Sequence, residues 1–297
     1  MNRGMEELTW ARIGLAVVVM AIASVSDWRS RTASDTHWYV MGMGGALLFG
    51  LRLWEEGAPW PYLACLALIA LVFIDTLRDR PGMFEDGVNL PPLLLYALTA
   101  IGFGYLTVEH FGEGAYWALV TIPLLMLLFF ILYQLDVIKG GADAKALMAL
   151  SLVFPEYPVL EGLPLLELGE PAALTLMPFP LLVLFNAAIL TLLMPLAFLV
   201  VNLARGDVRF PVMLFGTRMA LEEAEQRHVW SMERVVDGAV RLVLFPRSDE
   251  EEGWDALREA GVERPWVTPK VPFLIPLTVA VPFSLLVGNP LLYLMGV

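Results

Sequence analysis

The chain has 297 residues, of which 58% are hydrophobic and 17% charged. A soluble domain carries about 45–50% apolar and about 25% charged residues. Here the excess falls in nearly uncharged blocks of roughly 18–25 residues, long enough for a helix to cross a bilayer, so a soluble fold is excluded. The formal net charge of −12 argues against nucleic acid as a partner. Cys65 is the only cysteine, which rules out a disulfide framework. The histidines, His37, His110 and His228, are scattered, and no metal or other cofactor is expected.

In chain order, apolar runs predict spans near 9–26, 37–54, 60–77, 91–108, 115–136, 178–203 and 272–295, with a shorter segment at 144–154. The first run lacks a strong basic flank, and Asp27 follows where a small-residue cleavage site would stand, so it reads as a retained span. Basic residues alternate between loops. Arg29 and Arg31 follow the first span, Arg78 and Arg80 the third, and Lys139 and Lys145 the fifth. Ten of the nineteen basic residues lie in 204–270, whereas 109–114 and 155–177 carry acids and no Lys or Arg; Arg52 sits at one of the alternate loops. With eight crossings every strongly basic loop falls on the cytoplasmic side. The segment 144–154 is too short to cross alone and is read as lying inside the bundle.

The polar stretch 204–270 reads as a small α+β module. Met219–Arg234 is taken as an amphipathic helix with Leu221, Ala224, His228, Val229 and Met232 on one side, Val240–Phe245 as a strand and Asp249–Glu252 as an acidic turn. In the last span, Pro272, Pro276 and Pro282 predict kinks. The expected architecture is an all-α polytopic membrane protein with about eight transmembrane helices and a small α+β cytoplasmic subdomain before the last helix. Its parts are a membrane domain over 1–203, a cytoplasmic subdomain over 204–270 and a final helix over 271–297.

Ionisable groups at the ends of membrane helices are the first candidates for chemistry. Asp27, Asp75, Asp136 and Asp143 all fall toward the cytoplasmic side. Asp27 and Asp143 are remote in sequence but level in depth. Two close carboxyls cannot both ionise readily, and such a pair can activate a water as general base and acid. Gly140 and Gly141 give the chain freedom to turn into the helix of Asp143 and leave room for a substrate backbone. A plain N-cap is the bland reading of Asp143. Asp136 reads as a solvated helix end, Asp75 as a partner of Arg78, and Lys145 as either a bias on Asp143 or an interfacial anchor. Gly42, Gly44 and Gly45 read as helix-packing glycines.

These residues resemble those of the archaeal preflagellin peptidases, within the wider type IV prepilin peptidase group. One motif is Asp27 followed by Trp28-Arg29-Ser30-Arg31; the other is Gly140-Gly141-Ala142-Asp143-Ala144-Lys145. The stretches Phe215-Gly216-Thr217-Arg218-Met219 and Trp266-Val267-Thr268-Pro269-Lys270 resemble the family's cytosolic segments. The resemblance implies a membrane aspartic endopeptidase that removes short basic leaders from preflagellin or prepilin-like precursors at the cytoplasmic face. Asp27 and Asp143 would be catalytic, with Gly140, Gly141, Ala142 and Lys145 supporting the pair or binding substrate. The chain departs from the family in having four apolar segments between the aspartates, twice the usual number. The even number of extra crossings leaves both acids on one face. The alternative is an ion- or proton-coupled transporter using the same aspartates, although transport sites usually lie near the midplane.

Overall fold

The computed structural model describes residues 3–78, 84, 87–158, 160–166, 177–246 and 253–295. Arg80 and the acidic turn Asp249–Glu252 lie outside the described residues. The chain forms two compact units, Met1–Ala187 with Pro272–Val297, and Ala188–Val271.

The first unit is helical. Its elements are α1 (Arg3–Ser30), α2 (Asp35–Glu55), α3 (Trp60–Leu77), α4 (Leu90–His110), α5 (Gly114–Gln134), α6 (Gly141–Val153) and the start of α7 (Phe179–Thr191). It closes with α11 (Leu274–Leu286) and α12 (Pro290–Met295). Ser34 caps α2 by accepting from the Thr36 N–H. Prolines stand in the first turns of α3 and α4, where a missing N–H costs nothing. Large apolar side chains such as Leu47, Ile101 and Leu124 face outward, as on a lipid-facing surface. Beyond α4, Glu113 accepts from the Tyr62 hydroxyl and pairs with His110, both at 2.9 Å. The bond to His110, then that from Tyr62, holds the Glu113 carboxyl below its ordinary range.

Among the described residues, five stretches are long and apolar enough to cross a membrane: Gly4–Ser30, Trp60–Leu77, Leu90–His110, Gly114–Gln134 and Phe179–Arg205. Length and composition alone therefore do not confirm the expected count of eight. Glycines and Arg52 dilute the apolarity of α2, while α6 and α11 have 13 residues each, a rise of only about 20 Å. The run expected over 272–295 is interrupted at Gly288, where φ is 91°.

α6 sits at the centre of this unit. It packs on α1, α2, α3, α5 and α11, and every residue from Ala146 to Val153 is buried. The expected packing role of the glycines is clearest at Gly45. A Cβ there would lie 2.9 Å from the Val153 Cα and N, so α2 meets the α6 backbone directly. Gly42 packs in the same manner against the Phe73 ring.

The second unit holds the end of α7, α8 (Leu193–Arg205) and a small α+β body. The latter comprises β1 (Thr217–Arg218), α9 (Leu221–Gln226), β2 (Val229–Ser231), β3 (Glu233–Val236), β4 (Ala239–Leu242), α10 (Trp254–Glu259) and β5 (Trp266–Pro269). The antiparallel sheet runs β1-β5-β2, and β3 and β4 form a separate hairpin. Val212, Met213, Met232 and Trp266 form one buried cluster, and Ala224, Val229 and Val267 another. Buried Asn202 donates to the carbonyls of Met213 and Gly216 at 2.8 and 2.7 Å.

The long helix expected over Met219–Arg234 is corrected to the short helix α9 followed by two strands. Val229-Trp230-Ser231 pairs with β5, and Asp237-Gly238, with φ of 54° and 74°, forms the two-residue turn between β3 and β4. Asp-Gly is a strong hairpin signal, and β-branched Val235 and Val236 favour the extended state. The strand expected over Val240–Phe245 lies at Ala239–Leu242.

Candidate active site

The approach to Asp143 is built by the turn that ends α5. Asp136 takes the left-handed conformation there with φ of 57°, and its side chain is exposed, as expected of a solvated helix end. Ile138 is buried beneath the turn, and Gly140 then caps α6. Asp143 is the third residue of that helix, so the plain N-cap reading is corrected: the cap is Gly140. The Asp143 carboxylate folds back over the start of its own helix. A Cβ at Gly140 would overlap it, so only glycine leaves the carboxylate this place. Gly141 faces the Tyr133 hydroxyl at ordinary contact distance. Ala142 continues the first turn, and Asp143 is 6% exposed.

Asp27 stands near the end of α1 and is half-buried. One turn earlier, the Ser24 hydroxyl lies 2.6 Å from Thr278 Oγ1 and donates to the Leu274 carbonyl at 3.1 Å, which ties this end of α1 to α11. One turn later, the Arg31 N–H donates to the Asp27 carbonyl at 2.9 Å, with Arg31 left-handed at φ 59°. The Arg31 guanidinium lies 5.7 Å from the centre of the Trp28 ring, and its charge acts on Asp27.

The remote aspartates stand on two helices that touch. α1 packs against α6, and the charge of Asp27 acts on Asp143. Lys145 points elsewhere: its Nζ bonds Asp35 Oδ1 at 2.6 Å, tying α6 to the first turn of α2. Asp35 was not singled out from sequence; its signal was its place in the first turn of a capped helix. Asp75 lines a groove of about 800 Å3 with Asp35, Tyr39, Arg78 and Asn89. His228 is exposed in the second unit.

No protein-family model matches the chain. It is similar to the preflagellin peptidase of Methanococcus voltae, 28% identical over 206 residues that cover 66% of this chain and 84% of that protein. The preflagellin peptidase of Methanocaldococcus jannaschii is 26% identical over 196 residues, covering 64% and 79%. That of Methanococcus maripaludis is 27% identical over 162 residues, covering 52% and 65%. The resemblance drawn from the motifs is thus matched by similarity along more than half of the chain.

Proposed function

We propose that this chain is a membrane aspartic endopeptidase that cuts short basic leaders from preflagellin or prepilin-like precursors, with Asp27 and Asp143 as its catalytic pair. The observation that carries the reading is the placement of these two acids on helices that pack together: Asp143 is buried at the start of α6, α1 with Asp27 packs against α6, and the charge of Asp27 acts on Asp143. The similarity to preflagellin peptidases supplies the reaction and the substrate class. Since that similarity is to peptidases, the transport reading is not taken further.

Two like charges at short range resist double ionisation, so the pair shares one proton near neutral pH. The ionised carboxylate takes a proton from water as its oxygen attacks the scissile carbonyl. The protonated partner hydrogen-bonds the carbonyl oxygen and stabilises the negative charge that develops there. The proton taken from water then passes to the leaving amine as the peptide bond breaks. The pair titrates as a unit, so neither aspartate has a fixed role. Gly140 leaves room for the Asp143 carboxylate over the start of α6, Gly141 and Ala142 are the small residues that lead to it, and Lys145 holds α6 to Asp35.

In this reading α2, α6 and α11 lie in the membrane with the five longer stretches, giving eight helical segments. The membrane domain over 1–203, the subdomain over 204–270 and the final helix over 271–297 follow. The basic loops face the cytoplasm, and so does the pair. A precursor's hydrophobic helix docks in the bilayer while its leader stays in the cytosol. The test is cleavage of a preflagellin by the purified protein in detergent, read by mass spectrometry. Wild type cleaves, and Asp27→Asn and Asp143→Asn each lower kcat by about 10³-fold or more. Retention of wild-type kcat in either variant would sink the proposal.

A further inference from the structure

Arg12 lies in the middle of α1 and is 2% exposed. Its Nε donates to the Val153 carbonyl at 2.7 Å, and its Nη2 donates to the same oxygen. Its guanidinium carbon lies 5.5 Å from the centre of the Phe49 ring and 5.0 Å from that of Phe154. The charges of Glu156, Glu56 and Arg52 act on it, and Arg52 bridges Glu56 and Glu156 at 2.8 and 3.0 Å. A guanidinium sealed within the first unit costs several kcal/mol to desolvate, and a hydrophobic side chain of similar volume would fill the space more cheaply. Buried ions of this kind are best attested as devices that fix register.

The element that needs its register fixed is α6. It ends inside the bundle, so its last carbonyls have no water to turn to. Its sides are apolar and small along much of their length, and α2 offers it a glycine surface at Gly45. A shift of one residue along its axis is the displacement that a hold on its last carbonyl resists. A slip moves Asp143 about 1.5 Å and turns it about 100°. Along α1, Arg12 and Asp27 are separated by about 22 Å, and along α6, Asp143 and Val153 by about 15 Å. The difference of roughly 7 Å is comparable to the reach of one extended arginine side chain.

We propose that Arg12 is a positioning residue: by holding the C-terminal carbonyl of α6, it sets the level of Asp143 against Asp27 on its own helix. The inference rests on the catalytic pair proposed above and assigns a residue at the far end of the bundle to it. A misplacement of about 1 Å at a reacting centre costs about 10²-fold in rate.

The test compares wild type, Arg12→Gln and Arg12→Lys in two measurements on the full chain. In cleavage assays Arg12→Gln lowers kcat at least tenfold with KM changed less than threefold, and Arg12→Lys, which keeps the charge and a donor, recovers most of the loss. The acidic and alkaline limbs of the pH–rate profile draw together in Arg12→Gln, because carboxyls that have moved apart no longer split each other's titration. A smaller folded fraction scales that profile without changing its shape. The second measurement needs no activity. In a Cys65→Ala background, Asp27→Cys and Asp143→Cys are bridged with a short bifunctional thiol reagent, and adding Arg12→Gln slows bridging at least tenfold. Unchanged profile shape and unchanged bridging in Arg12→Gln would overturn the inference. If wild type cleaves no precursor while bridging still depends on Arg12, the proposed function fails and the positioning role stands.

Discussion

Gly45→Ala measures how firmly α6 is seated on α2. The new Cβ would lie 2.6 Å from Val153 Cγ2 and 2.9 Å from the Val153 Cα and N. The methyl group can rotate away, but the backbone of a helix end gripped by Arg12 cannot. Comfortable carbon–carbon contact begins at about 3.5 Å, so the helices must part by roughly 0.6 Å or more. Overpacking of this kind costs about 1–3 kcal/mol. Replacing glycine by alanine in a helix interior returns about 0.5–1 kcal/mol. The net expectation is a loss of up to about 2.5 kcal/mol. Gly104 in α4 is the control, because nothing lies within 4 Å of a Cβ built there. Gly104→Ala therefore keeps the gain without the clash and stabilises by about 0.5–1 kcal/mol. Thermal unfolding in one detergent, followed by tryptophan fluorescence, should shift the two variants in opposite directions. Shifts of the same sign would refute the claim that α6 touches α2 backbone to side-chain-free surface.

Two further predictions concern the second unit. Asn202→Leu leaves the buried carbonyls of Met213 and Gly216 without their donor and should cost about 2–5 kcal/mol, seen as faster proteolysis between α8 and β1. Burial raises the Glu233 carboxyl, against the opposing charges of Arg218 and Arg209 and a backbone hydrogen bond at Trp266. A carboxyl raised on folding penalises the folded state at neutral pH, and the penalty disappears as pH falls through its folded value and below its unfolded one. Glu233→Gln should therefore raise the melting temperature at pH 7 and leave it unchanged near pH 4; the opposite order would show that its ion pairs outweigh its burial.

The helices of the first unit were legible because their apolar blocks have the length of a bilayer crossing and few charges. The site was legible at Asp143 because two glycines before an acid have few uses in an apolar chain, and Gly140 proves to be the one whose missing Cβ makes room for the carboxylate. What misled was periodicity in the small unit. Leu221, Ala224, Val229 and Met232 fit a helical stripe, yet Val229 serves one buried cluster from strand β2 and Met232 the other from the bend that follows it. Pairing with β5, which begins 35 residues after Ser231, decided the outcome, and a local pattern carries no record of so distant a partner. Arg12 was passed over for a related reason: a lone cation in an apolar run has no neighbour in sequence that reveals the Val153 carbonyl it holds.

The hydroxyl of Ser24 and the carbonyl of Leu274 lie 250 residues apart in the sequence. The end of α1 that bears Asp27 therefore gains this tie only once α11 is in place, whereas the contacts of α1 with α2 and α6 need only nearer segments. A chain stopped short of α11 would lack that tie, so the position of this end of α1 is set by a helix far along the sequence.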